Sequence, residues 1–365
     1  MIEASGRSGM RRQGLEQIVN DDSFFRASDE DISSFDLVTE KADHRAQIAD
    51  LVQQIKETAD KLATDGSTRG DLKILSRTLR ELRYAFKVFA PYRRKRKVTV
   101  FGSARTQPDE PTYIQAVEFG RSMAAAGWLV VTGAASGIME AGHRGAGRES
   151  SMGLNIMLPF EQSANPIILG DPKLVHMKYF FTRKLMFVKE CDAVVCLPGG
   201  FGTLDEAMEV ITLLQTGKRD MIPVVLLDAP GGSYWQGLHD YVVNHLLGGR
   251  MISPEDLHLY KLTDNHETAK QEVLQFFRVY HSMRYVKSDL VLRLQTPLSP
   301  ELLEAINREF VDLLTAGQFV QRPALDLERD EAELAHMPRL VFAFNRRNLG
   351  RLRLLIDAIN RGSID

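Results

Sequence analysis

Apolar and polar positions follow two different periods along this chain, and the switches between them predict alternating strands and helices. Short apolar runs next to glycine predict buried strands at 98–101, 128–131, 152–158, 191–197 and 222–227. Apolar residues at helical spacing predict helices at 113–126, 140–147, 207–214, 234–247 and 268–281. Parallel strands joined by helices, with glycines at the strands' carboxyl ends, predict a Rossmann-like doubly wound α/β sheet over residues 95–282.

Two further regions flank this predicted core. Residues 36–94 contain two stretches of helical spacing, about 43–63 and 72–89, and form a predicted N-terminal helical extension. Residues 1–35 are polar and mixed in charge, and we expect a mobile arm there. Residues 283–365 are predicted to form a small C-terminal α+β module. Its predicted elements, in the order strand, helix, strand, strand, helix, are 290–294, 300–314, 319–327, 340–344 and 349–360.

The most informative segment is a glycine-rich turn, Pro-Gly-Gly-Phe-Gly-Thr-Leu-Asp-Glu, at residues 198–206. Glycines between a strand and a helix let the backbone approach a ligand, and the amides and dipole of the helix's first turn favour an anion. Glu206 lies about one turn into that helix. A plain tight turn, with an acidic residue placed for the helix dipole, is the alternative interpretation. The segment predicts a phosphate site formed by Gly199, Gly200, Gly202 and Thr203.

A second motif precedes this turn and, together with it, resembles a known family. Residues 181–186 are Phe-Thr-Arg-Lys-Leu-Met, and residues 191–193 are Cys-Asp-Ala. In this order the two motifs resemble the signature of the LOG (Lonely Guy) family, whose members are often mislabelled as lysine decarboxylases. The resemblance covers roughly residues 95–280. It implies a phosphoribohydrolase, which cleaves the N-glycosidic bond of a nucleoside 5′-monophosphate to give a free base and ribose 5-phosphate.

The resemblance also implies a catalytic pair. The family's essential arginine falls on Arg183, and its essential glutamate falls on Glu206. Departure of a base from ribose builds positive charge on the sugar, and a nearby carboxylate stabilises that charge or activates water. Arginine is a permanent planar cation suited to the phosphate or the departing base. The alternatives are a surface ion pair for the arginine and a dipole-favouring charge for the glutamate.

A second glycine loop, residues 132–141, departs from the family pattern. Ala134 and Ala135 stand where the family has glycines, and added methyl groups limit positive φ and narrow the approach to a ligand. The departure leaves open whether activity is reduced. For Glu140 a substrate contact and a first-turn dipole charge both stay open, and Met177 is expected at the pocket wall. The further candidates for substrate or phosphate contacts are Ser103, Gly133, Gly137, Glu140, Met177 and Lys184.

Composition and charge narrow the class of protein. The 365 residues are 44% hydrophobic and 26% charged, with a net charge of −2, which is typical of a globular domain and gives no global field for nucleic acid or membranes. The basic run at 93–97 is most simply a solvated linker, with an anionic effector or nucleic acid as the alternative. Cys191 and Cys196 are expected to be buried hydrophobes. No membrane span or secretory segment is visible, so we expect a cytoplasmic protein. We also expect that the protein needs no metal or cofactor.

Other function classes fit these residues less well. Lysine decarboxylation would require a Schiff-base lysine for pyridoxal phosphate, and no such pattern is visible. The turn at 102–105 lacks the GxGxxG of a dinucleotide-dependent oxidoreductase, and the GxxxxGK(S/T) of a P-loop NTPase does not occur. The serious alternative is a non-catalytic nucleotide or molybdenum-cofactor carrier on the same fold.

The expected partners follow from the resemblance. It implies a nucleoside monophosphate substrate and a homo-oligomer, at least a dimer, with the active site near the subunit interface. A nucleotide effector stays open, as do the role of the C-terminal module and the preferred base, whether purine, pyrimidine or cytokinin type.

Overall fold

The computed structural model describes residues 38–157 and 163–364, so the predicted arm at 1–35 lies outside the described residues. The chain divides into two compact units after Leu72. The first contains α1 (Val38–Lys61) and the first turn of α2 (Arg69–Phe89). Thr68 and Asp71 cap α2 reciprocally: the Thr68 amide donates to Asp71 Oδ2 at 2.9 Å, and the Asp71 amide donates to Thr68 Oγ1 at 3.2 Å. The two helices confirm the predicted helical extension.

In the second unit, seven strands of the described chain form one parallel sheet. They are β1 (Lys97–Phe101), β2 (Leu129–Thr132), β3 (Ser151–Ile156), β4 (Leu174–Met177), β5 (Ala193–Cys196), β6 (Val224–Leu227) and β7 (Lys261–Thr263). The accompanying helices are α3 (Pro111–Ala125), α4 (Ile138–Ala146), α5 (Phe180–Glu190), α6 (Phe201–Gln215), α7 (Tyr234–Tyr241) and α8 (His266–Phe276). β1, β2, β5 and β6 are buried along their whole length, as expected of parallel strands covered on both faces. The predicted α/β class is confirmed.

The strand order is β4-β3-β2-β1-β5-β6-β7, so the direction of winding reverses between β1 and β5. Right-handed crossovers that leave in opposite directions place their helices on opposite faces of the sheet. A crevice therefore forms beyond the carboxyl ends of β1 and β5, where ligands bind in sheets of this kind. The pairing of Phe101 with Cys196 places the last residues of the two strands side by side.

A second, antiparallel sheet lies in the C-terminal part of the described chain. Its strands are β8 (Tyr280–Val286), β9 (Asp289–Leu294), β10 (Leu314–Arg322) and β11 (Arg339–Phe344), in the order β10-β11-β9-β8. They are accompanied by α9 (Pro300–Glu309) and α10 (Leu349–Arg361). This confirms the predicted small α+β module, with one strand more than expected.

The extra strand corrects one prediction. The helix expected at 268–281 ends at Phe276, and β8 begins at Tyr280. The buried residues of β8 are Tyr280, Met283 and Val286, three positions apart, and this spacing resembles that of a helix. The sequence also missed β4 and β7, the two edge strands of the parallel sheet, because runs of four and three residues are too short to show a period.

Three observations concern only the described residues. No helix in them is long and apolar enough to cross a membrane. No group of three His, Cys, Asp or Glu side chains among them could hold a metal ion. Cys191 and Cys196 are free thiols and buried, as the sequence predicted.

Candidate active site

A cavity of about 750 Å³ opens at the carboxyl ends of β1 and β5, where the strand order reverses. The turns after β1, β2 and β5 and the first turns of α5 and α6 form its walls. The predicted site residues that line it are Ser103, Gly133, Arg183, Gly199, Gly200, Gly202, Thr203 and Glu206. The fold thus brings together residues that are up to about a hundred positions apart in the sequence.

The glycines of the turn at 198–206 have two different surroundings. A methyl group at Gly199 would lie 2.9 Å from the Ser103 amide nitrogen, so this position is packed against the rest of the protein. At Gly200 and Gly202 a methyl group would meet nothing within 4 Å. Only the latter two therefore leave open space for a ligand. Gly200 begins α6 without a side-chain cap, which leaves the positive end of the helix dipole facing the cavity.

The turn after β1 is joined to both of its neighbours through the backbone of Ser103. The Ser103 amide donates to the Pro198 carbonyl at 3.1 Å, and the Ser103 carbonyl accepts from the Ile138 amide at 2.9 Å. Gly137 has φ +65°, and a methyl group there would lie 2.6 Å from the carbonyl carbon of Ala104. Gly137 therefore serves this close packing and lies outside the lining of the cavity, and a β-carbon would disrupt the junction.

The second glycine loop accommodates its two alanines in different ways. Ala134 adopts φ +60°, the left-handed conformation that glycine would favour, and its amide donates to Thr132 Oγ1 at 3.0 Å. Its methyl group lies in a small buried apolar cluster with Ala164, Ile168 and Leu174. The expectation that both methyl groups narrow the approach to a ligand is therefore wrong for Ala134. Ala135 does line the cavity.

Arg183 and Glu206 reach the cavity from two different helices. Arg183 lies in the first turn of α5, between the rings of Phe180 and Phe187, whose centroids are 5.4 and 5.6 Å from its guanidinium carbon. Glu206 lies in the second turn of α6 and is 6% exposed. Arg183 Nε and Glu206 Oε2 are both buried without a hydrogen-bond partner among the described residues. Buried polar atoms without partners are rare and indicate a place where a ligand or water completes the site.

The electrostatics of this pair follow from burial. Burial raises the pKa of Glu206 to about 7, although the positive charges of Lys184 and Arg183 oppose the shift. Burial also lowers the pKa of Arg183, while the charge of Glu206 acts in the opposite direction. The carboxyl group therefore changes its charge near neutral pH, as a catalytic acid or base requires.

Four predicted residues lie outside the lining of the cavity. Gly137 is one of them. Met177 is fully buried in the core at the end of β4. Lys184 Nζ lies 2.7 Å from both Asp205 Oδ2 and Glu209 Oε2, so it joins α5 to α6. Glu140 pairs with Arg144 at 3.0 Å within α4.

Sequence reasoning missed several residues of the cavity wall, and Asn155 and Phe201 illustrate why. Asn155, near the end of β3, is 6% exposed and lines the cavity. A lone amide in the otherwise apolar run at 152–157 was the signal that could have found it. Phe201, the first residue of α6, is 93% exposed. It stands inside the glycine-rich motif, but only the fold shows that its ring lies at the mouth of the cavity.

Comparisons with known proteins show which family this chain resembles in sequence. The family described as "Possible lysine decarboxylase" matches residues 131–273. A probable cytokinin riboside 5′-monophosphate phosphoribohydrolase of rice (Oryza sativa subsp. japonica) is 30% identical over 174 residues, which are 46% of this chain and 68% of the relative. A second rice protein of the same description is 32% identical over 154 residues, 41% of this chain and 60% of the relative.

A bacterial relative and a solved structure extend the comparison. The cytokinin riboside 5′-monophosphate phosphoribohydrolase of Mycobacterium tuberculosis is 29% identical over 158 residues, 42% of this chain and 81% of the relative. The molybdenum cofactor carrier protein of Chlamydomonas reinhardtii is 21% identical in a structural match that covers 50% of this chain and 98% of that chain, with a TM-score of 0.35.

Proposed function

This chain belongs to the LOG (Lonely Guy) family, and on that premise we propose that it hydrolyses the N-glycosidic bond of nucleoside 5′-monophosphates to a free base and ribose 5-phosphate. One observation carries the proposal. Within a single cavity, the buried Glu206 and the half-buried Arg183 lie beside the uncapped N-terminus of α6, and Glu206 Oε2 and Arg183 Nε have no hydrogen-bond partner among the described residues. Such a cavity offers an anion site, a carboxylate and a fixed cation to one substrate.

We assign the phosphate to the start of α6. The space beside Gly200 and Gly202 admits phosphate oxygens, and the backbone amides and helix dipole there favour a negative charge. Thr203 follows on the same turn and lines the cavity, where its hydroxyl can donate to the anion. Phosphate binding here holds the ribose at a fixed distance from Glu206, one turn further along the helix. The binding energy of the phosphate is then used to orient the bond that breaks.

We assign the stabilisation of the ribosyl cation to Glu206. As the bond from C1′ to the base nitrogen breaks, its electron pair leaves with the base and positive charge builds on the sugar ring. The ionised carboxylate opposes that charge and can accept a proton from the water molecule whose oxygen bonds to C1′. The departing base takes up one proton, which balances the proton that Glu206 accepts from water, so that the products are ribose 5-phosphate and a neutral base and the carboxylate is regenerated. Because Glu206 has little solvent around it, its charge acts with little screening.

Arg183 has a complementary role in this proposal. Its guanidinium carries five donors in a rigid fork, and the atom Nε is buried without a partner among the described residues. The rings of Phe180 and Phe187 hold the group in place. A cation here binds the phosphate or the departing base, and therefore contributes both to substrate binding and to the transition state.

For the substrate we propose the broad class of nucleoside monophosphates, with purine, pyrimidine and cytokinin-type bases as candidates. Wild-type protein incubated with AMP should release adenine and ribose 5-phosphate, detected by chromatography, and should leave adenosine largely intact because the phosphate anchor is missing. Equal cleavage of adenosine and AMP would contradict the phosphate assignment. Tight binding of AMP with no release of base would favour a non-catalytic nucleotide carrier and overturn the hydrolase.

We also propose that the protein forms a homo-oligomer. Large apolar side chains on α5, close to the cavity, are strongly exposed: Phe180 at 57%, Phe181 at 53% and Leu185 at 45%. Adjacent exposed apolar side chains are typical of a surface that another protein covers. Light scattering should therefore give a mass of at least twice the 41.1 kDa of one chain. A mass equal to one chain at micromolar concentration would contradict this proposal.

A further inference from the structure

A buried carboxylate of the helical extension contacts the helix that carries Arg183. Glu81, on α2, is fully buried. Its Oε1 accepts hydrogen bonds from the Lys178 backbone amide at 2.8 Å and from Arg77 Nε at 2.9 Å. Its Oε2 accepts from the Thr182 hydroxyl at 2.7 Å. Both oxygens of this carboxylate therefore accept hydrogen bonds. Two of the three donors, the Lys178 amide and the Thr182 hydroxyl, belong to the segment at the start of α5.

The start of α5 has no cap of its own. The residue at its N-cap, Tyr179, makes no side-chain capping bond among the described residues. Glu81 brings a negative charge from another helix to this N-terminus, where the helix dipole favours an anion. The Thr182 hydroxyl also lies 2.9 Å from the Tyr179 carbonyl, so it connects Glu81 to the first turn of α5. Thr182 directly precedes Arg183.

A second contact between α2 and α5 lies near the other end of α5. Lys189 Nζ lies 5.1 Å from the centroid of the Phe86 ring on α2. The same end of α2 is anchored in the core of the second unit by Ala85, Val88 and Phe89, which are all buried. Glu81 therefore projects from a helix that cannot easily shift against the sheet. α2 therefore contacts α5 near both of its ends, through buried hydrogen bonds at the start and a side-chain contact at the other end.

We propose that Glu81 is a positioning residue for Arg183. Glu81 fixes the first turn of α5 through its hydrogen bonds with Lys178 and Thr182. That turn then directs the guanidinium group of Arg183 into the cavity. The part of α2 in the second unit then supports the candidate active site in addition to packing on the core. The catalytic consequence rests on the proposed hydrolase function, whereas the positioning itself does not.

Two variants and one matched control test the positioning directly. Glu81→Gln removes the charge and one of the two acceptor oxygens with little change of shape. Thr182→Val removes the hydroxyl that donates to Glu81 Oε2. Glu328→Gln is the control, because Glu328 is also a buried carboxylate: it accepts hydrogen bonds from the Leu325 backbone amide and from Arg293 and Arg339 on strands of the second sheet. Its hydrogen bonds and ion pairs within the described residues involve Leu325, Arg293 and Arg339 and no residue of α5.

Hydrogen exchange followed by mass spectrometry gives the readout for the peptide 178–184. Loss of a hydrogen bond to a charged group should speed exchange there on the order of tenfold in Glu81→Gln and in Thr182→Val. Glu328→Gln should leave this peptide at the wild-type rate. Wild-type exchange in folded Thr182→Val and Glu81→Gln protein would overturn the proposal. Faster exchange of this peptide in Glu328→Gln would also overturn the proposal, because the faster exchange would then result from a general loss of protein stability.

Kinetics separate positioning from chemistry. If substrate draws the loosened Arg183 back into place, Glu81→Gln should raise KM by on the order of tenfold and change kcat little, since only a fraction of the free enzyme has the competent arrangement. Thr182→Ser keeps the hydroxyl that donates to Glu81, so this variant should have the wild-type KM. A kcat lost without any change in KM would contradict this role. If the wild type releases no base at all, the hydrolase proposal fails, while the exchange experiment still decides the role of Glu81.

Discussion

The side chain of Thr203 fills the space beside Gly199: a methyl group on Gly199 would lie 2.8 Å from Thr203 Cβ. The same methyl group would meet the Ser103 amide. The turn after β5 is thus closed against its own helix and against the turn after β1. Gly200, the next residue, faces open space. Two adjacent glycines of one motif therefore have separable roles, one in packing and one in ligand access.

This difference predicts opposite behaviour for two single substitutions. Gly199→Ala should destabilise the fold by about 1–3 kcal/mol, because overpacking forces the backbone to move. Gly200→Ala should change stability by no more than about 0.5 kcal/mol but weaken AMP binding, since its methyl group occupies the proposed phosphate space. Urea denaturation and calorimetric titration with AMP measure the two effects. Equal destabilisation by both substitutions would contradict the distinction.

The second prediction concerns the rate and its pH dependence. Glu206→Gln keeps the shape but not the charge, and should lower kcat by roughly 10²–10⁴-fold while AMP still binds. Because burial raises the pKa of Glu206 to about 7, the wild-type rate should rise with pH through that value as the carboxylate ionises. The residual rate of Glu206→Gln, measured over the same pH range, controls for ionisation of the phosphate. A rising limb that persists in the variant would exclude Glu206 as its source.

The same shift predicts a pH dependence of stability. The folded protein retains the Glu206 proton up to pH about 7, whereas the unfolded chain releases it near the ordinary value of 4.5. The folded state binds more protons in this window, so the contribution of Glu206 to the free energy of unfolding falls as pH rises, by at most about 3 kcal/mol. Glu206→Gln should therefore gain stability relative to wild type between pH 5 and pH 8. Urea denaturation of both proteins at pH 5 and pH 8 measures the change. A difference in free energy of unfolding between Glu206→Gln and wild type that is the same at both pH values would contradict the prediction.

The fourth prediction concerns the departure in the second glycine loop. Ala134→Gly relieves the left-handed strain but loses a buried methyl group and frees the unfolded chain, so stability should change by less than about 1 kcal/mol. KM and kcat should stay at wild-type values, because the methyl group of Ala134 lies in the cluster with Ile168 and Leu174. Ala135→Gly, on the cavity side, is the matched comparison and should change KM. An altered KM in Ala134→Gly would show that this methyl group does affect the site.

The sequence by itself predicted five of the seven strands of the parallel sheet and the place of the candidate site beside them. Strands such as 193–196 and 98–101 are apolar runs next to glycines, and local pattern is enough to place them. The motif at 198–206 indicated an anion site, and Arg183 and Glu206 were identified by family resemblance. The carboxyl ends of parallel strands meet at one edge of a sheet, so these residues had to lie near one another.

Only the tertiary structure decided what surrounds each of these residues. The sequence could not show that Gly199 packs against Thr203 whereas Gly200 stays open, or that the methyl group of Ala134 lies in a buried cluster. It also could not show that Glu81, on another helix, accepts hydrogen bonds from Lys178 and Thr182 at the start of α5. Nor could it show that Glu206 is buried deeply enough to shift its pKa. The physical reason is the same in each case. Burial, close packing and charge depend on neighbours that are distant in sequence, and no local period records them.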